Sequence, residues 1–331
     1  MRLGWLSVAA GAVTVWGMLA QPRATGGHPY VAMRDLAYAP RIGNAHRMDL
    51  YLPAEAAGPV PVVLWSAGSA WRADNGTTGG ERVARALCAR GYAVAAVAVR
   101  SSTQGRFPAQ VHDGKAAVRW LRAHATRYGL DGARIAVMGN SSGGWLASML
   151  GATAGVVGME GDLGPTSVSS EVQAVVDLYG PTDFLSMDAH MPDGAIERLN
   201  ALTGGTRGHD DAVSPESRLI GAEIQTVPER VAEADPCRWV RRGCPPWLIL
   251  HGTDDPLVPF HQSRLLFDAL SEAGVPATLY EMRGRVHEHD YLDETRDFTP
   301  RRVHHTGGGG TTGQAPATWT LVADFLDTAL H

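Results

Sequence analysis

Short apolar runs alternate with amphipathic stretches along most of the chain. Runs of about four to eight largely apolar residues are typical of strands that are buried on both faces. Such runs occupy residues 62–65, 92–99, 135–138, 172–178 and 246–250. Apolar residues at helical spacing occupy residues 81–90, 110–128, 260–273 and 319–330. Alternating strands and helices predict an α/β fold in which a mostly parallel central sheet carries helices on both faces.

The first predicted strands differ from the inner ones because apolar and polar residues alternate in them. This alternation covers residues 30–39 and 46–52, and the turn signal formed by Gly43 and Asn44 lies between them. The pattern predicts an antiparallel hairpin ahead of the parallel strands. Residues 278–282 form the last predicted strand.

Two polar segments interrupt the alternation of strands and helices. Residues 183–234 are polar and rich in Gly, Asp and Met, and we expect a cap-like insertion with short helices over the edge of the sheet. Residues 288–317 are polar and contain a glycine tract at 307–310. We expect this second segment to form a flexible loop at the rim of a site.

The first residues of the chain form a separate segment. A short basic start, Met1-Arg2-Leu3, precedes an apolar run that ends at Ala20. This order is typical of a secretory signal peptide, whereas the length of the run also fits an uncleaved membrane anchor or a buried first helix. We assign residues 1–27 to a signal peptide or N-terminal anchor and residues 28–331 to one α/β domain. The assignment predicts a secreted or envelope-associated protein.

Composition and charge fit one globular domain with a large core. The 331 residues are 44% hydrophobic and 19% charged, and the formal net charge is −5. This acidic balance gives no sign of a nucleic-acid partner or of binding to an anionic membrane surface. Membrane association is expected only through the N-terminal segment, and the sequence leaves the oligomeric state open.

The chain contains three cysteines. Cys88 lies in an apolar helical pattern and is expected to be a buried thiol. Cys237 and Cys244 lie close together, and in an exported chain they are candidates for a disulfide that closes a short loop. The alternative is two free thiols, since a sequence does not show the geometry that a disulfide needs.

The stretch around residue 141 carries the strongest chemical signal. Gly139, Ser141 and Gly143 form a G-x-S-x-G pattern between a predicted strand and the start of a helix. In this context the pattern predicts a nucleophile elbow, a tight turn that exposes a serine hydroxyl above the sheet. Ser142 does not fit as the nucleophile, because residue 140 is Asn rather than Gly. The alternative is an ordinary glycine turn between a strand and a helix.

Three chemically suited residues each follow a predicted strand: Ser141, Asp255 and His287. The carboxyl ends of parallel strands meet at one edge of an α/β sheet, where catalytic groups collect. A serine hydroxyl needs a base to take its proton, and an imidazole can take that proton and return it. A buried carboxylate fixes the tautomer of the imidazole. The three residues therefore form a candidate Ser-His-Asp triad, which needs neither a metal nor an organic cofactor.

Several stretches of the chain resemble those of a known family. They are Phe107-Pro108-Ala109-Gln110, Tyr128-Gly129-Leu130-Asp131, Gly139-Asn140-Ser141-Ser142-Gly143-Gly144, Tyr179-Gly180-Pro181-Thr182-Asp183 and His251-Gly252-Thr253-Asp254-Asp255-Pro256. The chain from Asp35 to the final helix resembles α/β-hydrolases of the esterase/lipase group. That group includes feruloyl- and acetyl-esterase-like enzymes and lies near the hormone-sensitive-lipase type. The resemblance implies the α/β-hydrolase fold and a serine carboxylic-ester hydrolase that acts on a small-molecule or polysaccharide-linked ester.

The family spacing favours particular residues for the triad. In such enzymes the last aspartate of the H-G-x-x-D block is the acid, which implies Asp255, with Asp254 as the alternative. The histidine follows the final strand, which implies His287 as the base. The alternative bases are His289, His304 and His305. His251 is expected to be a structural histidine at the end of a strand.

The loop after the strand at 62–65 departs from the family pattern. The family has H-G-G-G-W or H-G-G-A-W there, whereas this chain has Ala67-Gly68-Ser69-Ala70-Trp71. An oxyanion hole uses backbone N–H groups, so it does not depend on the missing side chains. We assign its donors to the amides of Gly68 or Ser69 and of Ser142, and we expect Trp71 to shape the substrate pocket. The alternative is a plain turn at the end of a strand.

Two other functions are compatible with the same fold. A serine peptidase of the prolyl-oligopeptidase type uses the same triad, but we expect this chain to be too short for the usual N-terminal propeller. A non-catalytic binding protein is the second alternative, because the 67–70 loop departs from the pattern and a fold alone does not establish function. The presence of Ser141, Asp255 and His287 favours an enzyme.

Overall fold

The computed structural model describes residues 29–293, 300–312 and 316–331, and the strands in this part of the chain join in one sheet. The strands are β1 (Tyr30–Ile42), β2 (Ala45–Pro53), β3 (Val60–Ser66), β4 (Ala93–Ala98), β5 (Leu130–Asn140), β6 (Ala174–Leu178), β7 (Trp247–Gly252), β8 (Ala277–Met282), β9 (Arg301–His305) and β10 (Gly308–Thr312). The helices are α1 (Gly80–Cys88), α2 (Ala109–Ala123), α3 (Ala125–Tyr128), α4 (Ser142–Ala152), α5 (Val157–Glu160), α6 (Ala195–Thr203), α7 (Pro215–Ile220), α8 (Pro228–Glu233), α9 (His261–Glu272) and α10 (Trp319–Leu330).

Parallel strands occupy the centre of the sheet. From one edge to the other the order is β1-β2-β4-β3-β5-β6-β7-β8-β9-β10. The strands from β4 to β8 in this order pair in parallel. Antiparallel pairs form the edges, with β1 and β2 on one side and β9 and β10 on the other. The mostly parallel sheet and the hairpin between β1 and β2 are therefore confirmed.

Side chains of the central strands point alternately to the two faces of the sheet. In β3, Val62 and Leu64 belong to one hydrophobic cluster, whereas Val63 and Trp65 belong to the other. Helices α2, α4 and α9 contribute to the first cluster, and α1 and α10 contribute to the second. Burial on both faces explains why the central strands read as continuous apolar runs in the sequence.

The segment 183–234 lies between β6 and β7 and contains helices α6, α7 and α8 with short 3₁₀ turns around them. Hydrogen bonds to neighbouring elements hold this insertion against the rest of the domain. The indole of Trp145 donates to the carbonyl of Ala234 at 2.7 Å. The amide of Phe107 donates to the carbonyl of Leu219 at 3.0 Å. Trp145 belongs to α4, so the insertion rests on the helix that follows Ser141; its role as a cap stays a prediction.

The prediction of a flexible loop over residues 288–317 is wrong for residues 301–312, which form β9 and β10. Strand β9 pairs antiparallel with β8, and the fully buried Val303 lies opposite Tyr280. One buried side chain in a short strand next to the edge of the sheet is a weak hydrophobic signal, and the backbone pairing that completes the strand leaves no trace in the sequence. Residues 294–299 and 313–315 of the same prediction lie outside the described residues.

The predicted helix at 110–128 is divided at His124. Helix α2 ends at Ala123 and α3 begins at Ala125, and the backbone of His124 has φ −104° and ψ 10°. The ring Nδ1 of His124 lies 2.8 Å from the carbonyl oxygen of Trp120, and the His124 amide donates to the same oxygen at 3.0 Å. A side chain that competes for a backbone acceptor in this way favours a break in the helix.

The predicted signal peptide or anchor at residues 1–27 lies outside the described residues. Among the helices that the structure does describe, none is long and apolar enough to cross a membrane.

The predicted disulfide between Cys237 and Cys244 is not formed, and both thiols are free. In the 3₁₀ turn Pro236–Trp239, the amide of Cys237 donates a hydrogen bond to the carboxylate of Asp235 at 2.8 Å. Both cysteines pack against the first hydrophobic cluster instead of against each other. Burial raises the pKa of the Cys237 thiol, and the neighbouring Asp235 raises it further. Cys88 is a buried free thiol, as predicted.

A buried carboxylate fixes the segment that leaves the end of β4. Asp113 of α2 is fully buried and accepts hydrogen bonds from the Arg100 amide at 2.8 Å and from the Arg100 guanidinium at 2.6 Å. His46 Nε2 lies 3.0 Å from the same carboxylate. Burial alone would lower the pKa of His46, but the hydrogen bond to Asp113, the negative charge of Asp113 and the hydrogen bond to the Pro40 carbonyl together outweigh burial and raise the pKa. Asp113 thus anchors the residues around Arg100 to the core.

We expect Asp113→Asn to lower the free energy of unfolding by about 3 kcal/mol, because it removes one partner of a buried, hydrogen-bonded ion pair. Urea unfolding of the variant and the wild type measures this loss. Asp193→Asn at an exposed carboxylate is the matched control and should change stability by less than about 0.5 kcal/mol. Equal stability of Asp113→Asn and the wild type would contradict the anchoring role.

Candidate active site

Ser141 stands at the sharp turn between the end of β5 and the start of α4. Its backbone has φ 55° and ψ −126°, a strained conformation for a residue that is not glycine. Two backbone hydrogen bonds hold it there. The Ser141 amide donates to the carbonyl of Leu178 at 2.8 Å, and the Trp145 amide donates to the carbonyl of Ser141 at 3.0 Å. The predicted elbow geometry is therefore present.

The glycines on either side of Ser141 allow this turn to close. A Cβ atom added to Gly139 would lie 2.2 Å from the carbonyl oxygen of Gly143. A Cβ atom added to Gly143 would lie 2.0 Å from the carbonyl oxygen of Ser66, at the end of β3. Both distances are far inside van der Waals contact, so the G-x-S-x-G pattern is required by the close approach of three backbone segments.

Asp255 and His287 form a hydrogen-bonded pair in the loops that follow β7 and β8. His287 Nδ1 lies 2.7 Å from Asp255 Oδ2. The other carboxylate oxygen accepts the amides of Leu257 at 2.8 Å and Val258 at 2.9 Å. Asp255 is fully buried, whereas His287 keeps 16% of its side chain exposed. Asp254, the alternative acid, is exposed and accepts instead from the hydroxyl of Thr253.

His251 gives Asp255 a second contact that sequence reasoning did not assign. Its Nε2 lies 3.2 Å from Asp255 Oδ2 and 2.9 Å from the Val258 carbonyl, and its Nδ1 lies 2.7 Å from the hydroxyl of Ser263. Burial by itself would raise the pKa of Asp255, but the hydrogen bonds from His251 and His287 outweigh it and hold the pKa below its ordinary value. The carboxylate therefore stays charged beside His287.

The alternative bases have other partners. His289 Nδ1 lies 2.6 Å from the hydroxyl of Tyr179. Burial lowers the pKa of His289 to about 4, and the positive charge of Arg82 contributes to this shift. His304 Nε2 lies 3.0 Å from Glu281, and His305 Nδ1 lies 3.0 Å from the Thr278 hydroxyl. Of the histidines after β8 in the described chain, only His287 contacts Asp255.

Tyr179 connects the Ser141 turn to the histidines. Its ring centre lies 4.6 Å from that of His287, and its hydroxyl accepts a hydrogen bond from Asn140 Nδ2 at 3.2 Å. The residue before it, Leu178, accepts the amide of Ser141. Tyr179 therefore touches the ring of His287 and the residue next to Ser141 at once.

The hydrogen bonds around Tyr179 continue through Asn140 to the loop after β3. The Gly68 amide donates to Asn140 Oδ1 at 3.0 Å, so the carboxamide nitrogen of Asn140 must face Tyr179. The Tyr179 hydroxyl can donate to His289 Nδ1 when that nitrogen carries no proton. The lowered pKa of His289 favours the neutral ring that this direction requires. Sequence reasoning missed both Asn140 and Tyr179, although Asn140 lies inside the G-x-S-x-G pattern.

The amides predicted for an oxyanion hole have different surroundings. Gly68 donates to Asn140, and the Ser69 amide donates to the hydroxyl of Ser142 at 2.9 Å. The Ser142 amide opens α4 and donates no hydrogen bond within the described part of the chain. A Cβ atom added to Gly68 would lie 3.2 Å from Ser141 Oγ, so the loop passes directly beside this hydroxyl. The oxyanion role of the three amides stays a prediction.

Trp71 ends the loop at residues 67–71 and packs against α4 and the insertion. The residue is only 5% exposed, and its ring lies edge-on against Trp145 at 5.3 Å and Phe184 at 5.5 Å. Both Ala70 and Trp71 have positive φ, at 51° and 53°. The indole thus joins the loop to α4 and to the insertion, and its predicted contact with substrate stays a prediction.

Among the described residues, no group of three or more His, Cys, Asp or Glu side chains is placed to hold a metal ion.

The chain is similar to several known proteins. The model of one family, described as BD-FAE, matches residues 48–270. The chain is 30% identical over 241 residues to the esterase LipC of Mycobacterium tuberculosis, which covers 72% of this chain and 55% of LipC. It is 27% identical over 265 residues to the probable carboxylic ester hydrolase LipM of the same organism, which covers 79% of this chain and 57% of LipM. The chain spans a little over half the length of these two relatives.

A solved structure is similar over nearly its whole length. It is the truncated form of a carbohydrate esterase from gut microbiota, with a TM-score of 0.73 and 29% sequence identity. The match covers 92% of this chain and 98% of that one. The predicted α/β-hydrolase fold is confirmed.

We expect Gly143→Ala to lower the free energy of unfolding by at least about 2 kcal/mol, because its Cβ would force the end of β3 away from α4. Thermal unfolding of the variant and the wild type measures the change. Gly58→Ala is the matched control, because a Cβ atom added there meets nothing within 4 Å. Equal stability of Gly143→Ala and Gly58→Ala would contradict the close approach of Gly143 to the carbonyl of Ser66.

Proposed function

This chain belongs to the BD-FAE family, and we propose that it is a carboxylic ester hydrolase that forms an acyl-enzyme on Ser141. The observation that supports the proposal most is the 2.7 Å contact between His287 Nδ1 and the buried carboxylate of Asp255. A charged, buried carboxylate on one nitrogen leaves the other nitrogen of the ring to accept a proton. The names of LipC and LipM support the same activity.

The first half of the proposed reaction transfers the acyl group to the protein. The Ser141 hydroxyl oxygen attacks the carbonyl carbon of the ester while His287 Nε2 accepts the hydroxyl proton. Asp255 holds the ring through Nδ1–H and stabilises the imidazolium that forms. The tetrahedral intermediate collapses when His287 returns the proton to the alkoxy oxygen, and the alcohol leaves.

The second half releases the acid. A water molecule attacks the acyl carbonyl while His287 Nε2 takes one of its protons. The proton then passes to Ser141 Oγ as the acyl bond breaks, which restores the free hydroxyl. The atoms balance with one water consumed for each ester, and the carboxylic acid and the alcohol are the products.

The negative charge that develops on the carbonyl oxygen requires N–H donors. We assign the Ser142 amide as the first donor, because it begins α4 and has no acceptor in the described structure. Ser69 is the better second donor. The Ser69 amide is held by one hydroxyl, that of Ser142, whereas the Asn140 carboxamide that holds the Gly68 amide is itself hydrogen-bonded to Tyr179.

Substrate and location are part of the same proposal. The similarity to a carbohydrate esterase favours an ester linked to a small molecule or to a polysaccharide. An exported protein would meet polysaccharide esters outside the cell, which fits the apolar segment predicted in residues 1–27. A non-catalytic binding role is the alternative that one observation favours, since the amides of both Gly68 and Ser69 already have acceptors.

We expect the purified protein to hydrolyse p-nitrophenyl esters and Ser141→Ala to lower kcat/KM by about 10⁴-fold or more, as removal of a triad nucleophile does. A series from acetate to laurate separates short-chain from lipid-type substrates. Ser167→Ala in an exposed loop is the matched control and should keep wild-type activity.

Two results would contradict the proposal. One is a folded wild-type protein that hydrolyses no ester in the series, which would favour a non-catalytic role. The other is a Ser141→Ala variant that keeps wild-type kcat/KM, which would place the hydrolysis at another residue. Circular dichroism of both proteins shows that each is folded.

A further inference from the structure

A polar cleft lies between the loop after β4 and the insertion that contains α7. It has a volume of about 630 Å³, and its walls include Ser102, Thr103, Gln104 and Arg106 on one side and Arg218 and Glu223 on the other. The role of this cleft depends on the proposed ester hydrolysis at Ser141.

The cleft opens on the same edge of the sheet as Ser141. Strands β4 and β5 run parallel with β3 between them, so their ends lie two strand spacings, or about 10 Å, apart. The Ser102 amide donates to the carbonyl of Trp71 at 2.7 Å, which joins the cleft wall to the loop beside Ser141. The separation of the strand ends is about the length of one to two sugar rings. Ligands bind at this edge in open α/β sheets.

The lining of the cleft suits a hydrophilic group. Its apolar members are no larger than alanine, as in Ala212 and Ala222, and the other side chains carry hydroxyl, amide or charged groups. A long acyl chain would therefore bury little apolar surface there and gain little free energy from the transfer out of water. Hydroxyl and amide side chains can instead form hydrogen bonds with the hydroxyl groups of a sugar.

Two arginines of the cleft have no acidic partner among the described residues. Glu223 pairs with Arg207 at 2.9 Å. The guanidinium groups of Arg106 and Arg218 form no ion pair or hydrogen bond with the described residues. Gly221 lets Arg106 lie across it, because a Cβ atom there would come within 2.4 Å of Arg106 Cδ. Two free guanidinium groups at one cleft favour a carboxylate, which they bind with paired N–H donors.

We propose that this cleft binds a carboxylate on the polar part of the ester, as in an acetylated acidic sugar. Arg106 and Arg218 contact the carboxylate, and the hydroxyl groups of Ser102 and Thr103 contact the sugar. The reacting carbonyl then lies over Ser141. A carboxylate on the acyl side of the ester, as in a hemisuccinate, would have the same chemistry, and the experiment separates the two sources.

The test compares two matched pairs of esters. The first pair is the same monoacetate of methyl glucuronoside and of methyl glucoside, which differ in a carboxylate on the alcohol side. The second pair is p-nitrophenyl hemisuccinate and p-nitrophenyl butyrate, which differ in a carboxylate on the acyl side. We expect a preference for the charged member of the first pair only, and we expect added salt to weaken it.

The double variant Arg106→Gln, Arg218→Gln should lower kcat/KM for the acetylated glucuronoside by about tenfold and leave the glucoside within about twofold. The control is Arg127→Gln, because exposed Arg127 lies on α3 ahead of β5, at the opposite edge of the sheet from Ser141. It should keep the wild-type preference.

The outcomes separate this inference from the proposed function. Equal rates for both members of the first pair, or a preference that survives in the double variant, overturn the carboxylate site while ester hydrolysis stands. A preference confined to the hemisuccinate pair overturns the acidic-sugar assignment and moves the carboxylate to the acyl side. Failure to hydrolyse any of the four esters overturns the proposed function itself.

Discussion

Ser141 keeps its exposed position because three backbone segments approach one another more closely than any side chain permits. The end of β3, the end of β5 and the start of α4 meet where Gly139 and Gly143 have no Cβ atoms. The strained φ of 55° at Ser141 persists because its amide and carbonyl are both hydrogen-bonded to neighbouring elements. Asn140, the residue before Ser141, links this turn to Tyr179 and to the loop after β3.

Tyr179 connects the Ser141 turn to the histidines of the candidate site. Its hydroxyl lies between Asn140 and His289, and its ring lies against His287. The same hydrogen bonds reach the Gly68 amide through Asn140, so the loop after β3 and the loop after β8 are fixed to one residue at the end of β6. The polar groups behind the candidate triad thus form one connected network. In such a network a change in one member alters the others.

The elements that could be predicted from the sequence are those with a strong pattern of apolar residues. The central strands and the helices follow from apolar runs and helical spacing, and Ser141, Asp255 and His287 follow from the ends of three strands. Contacts between residues far apart in sequence could not be predicted. Examples are the bonds of Asn140 and Tyr179, and the thiol of Cys237, which packs against the core rather than against Cys244. Strand β9 was missed because backbone pairing, which any sequence can make, completes it.

The most direct test of the central claim is the site of covalent labelling by a fluorophosphonate, mapped by mass spectrometry of the digested protein. Such a reagent modifies a serine only when a neighbouring base activates it. The account predicts one label per chain, on Ser141, and a strong loss of labelling in His287→Ala. Labelling of Ser142 or another serine, or no labelling of the folded protein, would contradict it.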